Sequence, residues 1–203
     1  MMRKTRQETT RLVGVAVFFA LVVILQLLGS FIRFGPFSIS LVLLPIVIGS
    51  AVYGVKTGGL LGFVFGLAVI LSGDAASFFA ISIPGTIITV LAKGILAGLG
   101  AGAAYKLFEK RNATLGVFVA AAVCPLINTG VFALGFRIFF FETLANLSFG
   151  SGYSDDVLWP MLFGMIGWNF VMEFVVNLIL SPAVVTLIRI GRKSLGKQSG
   201  DYQ

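Results

Sequence analysis

The chain has 203 residues, 58% of them hydrophobic and only 11% charged, with a mean hydropathy of +1.02. A soluble domain is about one-quarter charged, so this composition excludes one and predicts an all-α integral membrane protein. The net charge of +7 does not argue for a nucleic-acid partner, because the basic residues fall at the ends of apolar segments rather than on one patch. With no histidine in the chain, a His-ligated metal and a Ser-His-Asp triad are both excluded. The single cysteine, Cys124, lies in an apolar stretch and has no disulfide partner.

The first apolar run, 12–28, follows Arg3, Lys4, Arg6 and Arg11, a layout shared by signal peptides and first transmembrane helices. Gly29-Ser30-Phe31-Ile32-Arg33 follows it in place of a small-residue cleavage site, so a retained helix is expected. Further runs at 41–53, 59–71, 83–107, 115–141 and 161–190 are each bounded by glycine, proline or charge. They predict a compact bundle of about six transmembrane helices forming one domain over 1–193. A polar cytoplasmic tail without regular structure is expected over 194–203. Since a spanning helix needs about 20 residues, the second and third runs are short and are expected to borrow Ser38–Ser40 and Ser72. No repeat relates the two halves, which weakens an inverted-repeat transporter architecture.

Lys and Arg concentrate on cytoplasmic loops. With the N-terminus inside, twelve of the fifteen fall there: the four at the start, Lys56, Lys106, Lys110, Arg111, Arg189, Arg192, Lys193 and Lys197. Both ends are therefore expected in the cytoplasm. Asp74, Glu142, Asp155 and Asp156 then belong to outer loops.

Small residues spaced by four recur at Ala16 and Ala20, at Gly58, Gly62 and Gly66, and at Gly94, Gly98 and Gly102. Such ridges let helix backbones approach closely. The glycine series predict packing inside the bundle, whereas the alanine pair suits either the bundle or another subunit. Pro45, Pro125 and Pro182 lie inside apolar runs, where proline tends to kink a helix.

Polar side chains at bilayer depth are costly and face a cavity or a partner. Asn169, Glu173 and Asn177 recur every four residues on the last run, so they form one stripe on one helix face. Lys93 and Asn128 reach comparable depth from their own helices, and Arg137 sits nearer the outer surface. Lys93 and Glu173 could neutralise each other as a structural pair, or these groups could converge on a solute. In the outer loops Phe34 and Phe37 flank Arg33 together with Phe31, and Phe78 and Phe79 follow Asp74. Aromatics beside a few polar groups suit a small-molecule site, but taken alone they favour an interfacial belt. The segment Gly54-Val55-Lys56-Thr57-Gly58 lacks the glycine that a P-loop needs before its lysine. No zinc-protease motif or nucleophile elbow occurs either, so no catalytic residue, metal site or cofactor is expected.

This pattern resembles the substrate-binding S component of an energy-coupling factor vitamin transporter. Nearly the whole chain shares in the resemblance: its small size, about six spans, both ends inside, Ala16-Val17-Phe18-Phe19-Ala20 on helix one, and Arg33-Phe34-Gly35-Pro36-Phe37-Ser38-Ile39-Ser40-Leu41 running into Leu44-Pro45. It implies that Ala16 and Ala20 dock on a membrane coupling subunit joined to two cytoplasmic ATPases. It also implies a bacterial plasma membrane setting and a first loop that closes over a vitamin held by the later helices. The expected substrate-binding residues are Arg33, Phe34, Phe37, Lys93, Asn128, Arg137, Asn169 and Glu173. The cations Arg33, Lys93 and Arg137 suit a carboxylate, which favours pantothenate ahead of riboflavin or a pyrimidine or pyridine precursor. A stand-alone transporter using Glu173 as a proton or cation site, and a membrane assembly protein that binds no solute, are the alternatives.

The orientation is directly testable. In a variant lacking Cys124, a cysteine at Asp155 or Asp156 should react with an impermeant thiol reagent applied from outside, and one at Lys110 should not. The opposite labelling pattern would invert the bundle.

Overall fold

A computed structural model of the chain describes residues 2–31, 33–34, 37–38, 41–143 and 155–200. The described elements, in order, are helix α1 (Met2–Gly29), an antiparallel ladder of β1 (Arg33–Phe34) and β2 (Phe37–Ser38), then α2 (Leu43–Tyr53), α3 (Val55–Leu71) and the short α4 (Ala76–Phe79). Three long helices complete them: α5 (Ile83–Glu109), α6 (Ala113–Phe139) and α7 (Asp155–Gly200). Four stretches are long and apolar enough to cross a membrane: Glu8–Gly29, Ile83–Glu109, Ala113–Phe139 and Ile166–Ile190. The short apolar helices α2 and α3 supply the other two members of the expected six.

Local chemistry sets several of the helix ends. Ser82 caps α5 by accepting a hydrogen bond from the Gly85 N–H at 3.2 Å, and Pro84 occupies the first turn, where its missing N–H costs nothing. Asn112 caps α6 through the Leu115 N–H at 3.1 Å. Between α2 and α3 the chain reverses at Gly54 alone, with φ at +101°, a conformation in which any other residue would be strained.

The structure corrects five sequence expectations. Helix α2 begins at Leu43 and does not borrow the serines before it: Ser38 belongs to β2, and 39–40 lie outside the described residues. Pro45 accordingly falls in the first turn of α2 rather than at a mid-helix kink. Helix α3 gains length at its inner end, from Val55, and Ser72 is its C-cap. Asp155 and Asp156 open α7 instead of lying in a loop, a place where acidic residues complement the helix dipole. At the other end α7 continues to Gly200, because no proline follows Pro182 to stop it.

The most central helix is only eleven residues long. Helix α2 touches α1, α3, α5, α6 and α7, and eight of its eleven residues are buried, which is why it is apolar on every face. Helix α5 lies between α3 and α6, its two most extensive neighbours. Helix α1 is peripheral and leaves Leu12, Val13, Val17, Leu21, Ile24, Leu27 and Leu28 exposed. The two ends of the bundle are tied by different chemistry. Arg11 Nη2 donates to the Tyr53 carbonyl at 2.8 Å and Arg189 Nη2 to Thr114 Oγ1 at 3.1 Å on the basic side, whereas Gln26 Nε2 donates to Asp74 Oδ2 at 3.2 Å on the opposite side.

Both glycine series pack as expected. Gly58 lies against the Gly98 carbonyl and Gly62 against the Gly94 carbonyl, and the reverse contacts also form, so α3 and α5 meet backbone to backbone. At the inner end Gly102 faces Val55, where an added Cβ would come within 2.8 Å of the Val55 Cα. Gly130 on α6, by contrast, has open space around it. Gly62→Ala should therefore lower thermal stability in detergent by about 1–3 kcal/mol through overpacking. Gly130→Ala should be neutral or slightly stabilising, since alanine is the better helix former. Equal stability of the two variants would refute the close contact.

Candidate functional site

Helices α5, α6 and α7 bring most of the intramembrane polar side chains together. Glu173 on α7 is 1% exposed and lies opposite Asn128 of α6, itself 3% exposed. Asn128 Nδ2 donates to Glu173 Oε2 at 3.3 Å, and Asn169 Nδ2, one turn outward on α7, donates to Glu173 Oε1 at 3.2 Å. One turn inward, Asn177 Nδ2 donates to the Glu173 carbonyl at 2.7 Å, and Ser181 Oγ donates to the Asn177 carbonyl at 2.8 Å. The period-four stripe is thus one connected chain of hydrogen bonds facing α6. A carboxylate can stay buried when donors meet its oxygens in this way.

Lys93 approaches from α5. Its Nζ lies 5.5 Å from the centroid of the Phe65 ring and 5.2 Å from that of Phe132, within cation–π range of both. It is also within electrostatic reach of Glu173 and Asp74. Outside this level lies an aromatic layer centred on Phe78, which packs edge-on against Phe132 at 5.4 Å and Phe140 at 5.2 Å and also meets Phe136. Phe78 is 8% exposed, so it covers the polar level from the outer side as a core residue rather than as part of a belt.

Five polar atoms around this level lack a partner. Among the described residues, Asn128 Oδ1, Asn169 Oδ1, Asn177 Oδ1, Thr89 Oγ1 and Thr129 Oγ1 are shielded from solvent and make no hydrogen bond. Buried polar groups in folded proteins are nearly always satisfied, so these unsatisfied atoms mark the level as the candidate site. Thr89 lies one turn outward of Lys93 and nests against Gly135 of α6.

Two further groups of expected site residues are placed differently. Arg137 is exposed on α6, with its guanidinium 4.5 Å from the centroid of the Phe141 ring, and does not join the buried level. Arg33, Phe34 and Phe37 belong to the β1–β2 ladder, which pairs Arg33 with Ser38 and Phe34 with Phe37. The β2 strand touches α7; the side chains of these three lie outside the described residues.

Sequence reasoning did not find Phe65, Phe132, Thr89 or the Gln26–Asp74 tie. Phe132 stands four residues after Asn128 and Thr89 four before Lys93, so helical spacing alone would have placed each on the face of its polar neighbour. Gln26 is a polar residue in an otherwise apolar run, itself a signal of a buried partner.

Ala16 and Ala20 are both exposed on α1. They therefore take no part in packing the bundle. An apolar groove of about 480 Å³ runs between α1, α2 and α7, lined by Phe18, Leu21, Leu25, Ile48, Val184 and Leu187 among others.

Comparison with known proteins agrees with this architecture. The chain is similar to the pantothenic acid transporter PanT of Lactococcus lactis subsp. cremoris (strain MG1363), with 28% identity over 198 residues that cover 88% of this chain and 93% of that protein. Residues 10–189 match the family described as ECF transporter, substrate-specific component. With this match over most of its length and helices suited to crossing the bilayer several times, the chain is a multi-pass membrane protein that belongs to the substrate-specific components of ECF transporters.

Proposed function

We propose that this protein captures pantothenate at the outer side of the cell membrane and passes it inward by docking on a membrane coupling subunit driven by two cytoplasmic ATPases. The observation that carries the reading is that Lys93, within electrostatic reach of Glu173, shares the level at which the amide oxygens of Asn128 and Asn169 are buried without partners, beneath an aromatic cover. Pantothenate carries a carboxylate at one end and hydroxyl and amide groups at the other. Lys93, held between Phe65 and Phe132, is suited to the carboxylate, and the asparagines to the hydroxyls. Riboflavin has no carboxylate to offer the lysine. The similarity to PanT supports the same choice. Arg33, Phe34 and Phe37, on a ladder that touches α7, are proposed to close over the bound vitamin. The exposure of Ala16 and Ala20 on α1 supports docking through that helix, because small residues there would let a partner helix approach closely.

Calorimetric titration of the purified chain tests the substrate. Pantothenate should bind, and pantothenol, in which an alcohol replaces the carboxylate, should bind much more weakly. Asn169→Ala should weaken pantothenate binding by about 1–3 kcal/mol, the effect of losing a hydrogen bond in a dry site. Equal affinity for the two compounds would remove Lys93 from the carboxylate, and unchanged affinity in Asn169→Ala would remove that residue from the site.

Docking separates from binding by mutation. Ala16→Leu or Ala20→Leu should abolish most cellular uptake while the isolated chain keeps its affinity. Loss of affinity in these variants would show that the alanines serve the bundle instead.

A further inference from the structure

We propose that Glu173 is a positioning residue that locks Asn128 and Asn169 into a fixed pair of acceptors, so that the bound solute must offer hydrogen-bond donors to this end of the site. The inference rests on the reading of this level as the solute site and goes beyond it, to the rule by which the site selects.

An asparagine amide has a donor end and an acceptor end of nearly equal size, and on its own it can present either to a guest. An ionised carboxylate accepts only. Glu173 takes the Nδ2 groups of Asn128 and Asn169 on its two separate oxygens, at 3.3 and 3.2 Å. Turning either amide over would set its oxygen against a carboxylate oxygen at the same distance, a repulsion that the low dielectric of a buried site enlarges. Both amides are therefore held one way round, and both Oδ1 atoms are left shielded and without a partner. They belong to different helices, yet their nitrogens share one carboxylate, so one small molecule can span them. The site is consequently polarised, with a cation at Lys93 for an anionic group and two acceptors for hydroxyl or N–H groups. Neutral glutamine at position 173 would offer both a donor and an acceptor, and the lock would be lost.

Two measurements test this on the full chain in detergent. In the first, asparagine side chains are labelled with ¹⁵N and the signals of residues 128 and 169 are assigned by their loss in Asn→Ala variants. Their amide protons should exchange with water at least about tenfold more slowly than those of the exposed Asn112, as expected of buried charge-assisted bonds. Both signals should shift in Glu173→Gln. In the second, pantothenate is compared with its derivative bearing methyl ethers in place of the hydroxyls, whose ether oxygens accept but cannot donate. The wild-type chain should prefer pantothenate by at least about tenfold, the scale of one unpaired buried group. In Glu173→Gln the preference should fall severalfold, whereas a purely steric penalty from the methyl groups would persist. If Glu173→Gln does not fold, Asn169→Ser provides the comparison, because a serine hydroxyl can donate or accept and should relax the preference in the same direction. Amide protons that exchange as fast as those of Asn112, or a preference unchanged in the variants, would overturn the proposal. Slow exchange in a wild-type chain that binds no pantothenate would support the lock and refute the choice of vitamin.

Discussion

The direct contact between the backbones of α3 and α5 is the constraint on which the remaining geometry depends. In a bilayer the lipid tails are as apolar as the side chains, so helices gain little from hydrophobicity and must gain from close packing. Gly58, Gly62, Gly94 and Gly98 allow that approach. Gly94 follows Lys93 directly, so the contact that seats Gly94 on α3 also fixes the rotation of α5 at the lysine. Phe65, one turn from Gly62 on α3, thereby comes over the ammonium group. Packing and site are set by the same few residues.

On the other side of α5 the bundle is held by a different interaction. Helices α6 and α7 meet through a buried carboxylate and three asparagines, and removing one partner from such a network costs more than a single hydrogen bond, because the remaining groups stay buried. The polar seam and the glycine seam flank the level at which Lys93 sits. A bundle built in this way has one half closed by shape and the other by charge and hydrogen bonding.

The long helices were legible because their apolar runs end in caps and charge, as at Ser82 and Asn112. The stripe of Asn169, Glu173 and Asn177 was legible because period four survives folding unchanged. Other features depended on distant contacts that local spacing does not encode. Arg137 reads as one more cation near the outer surface, and only the placement of Phe136 and Phe140 in the aromatic layer turns it outward. The serines before α2 read as helix because a spanning segment needs length, whereas the chain pairs Phe37 and Ser38 in a ladder instead. The acceptance of the Asn128 amide by the Glu173 carboxylate, across 45 residues of sequence, has no local signature at all.

The single-residue reversal at Gly54 bears on how the protein reaches the membrane. At about 1.5 Å per residue an eleven-residue helix is roughly 16 Å long, about half the hydrocarbon thickness, so α2 is a poor candidate for insertion by itself. Joined to α3 through one glycine, it enters as part of a helical hairpin whose two arms must be committed to the bilayer together. Its buried faces are then supplied largely by α5, α6 and α7, which leave the ribosome later. During synthesis the centre of the finished bundle is thus its least supported part, and assembly proceeds from the outside inward, closing around α2 only when the last helix arrives.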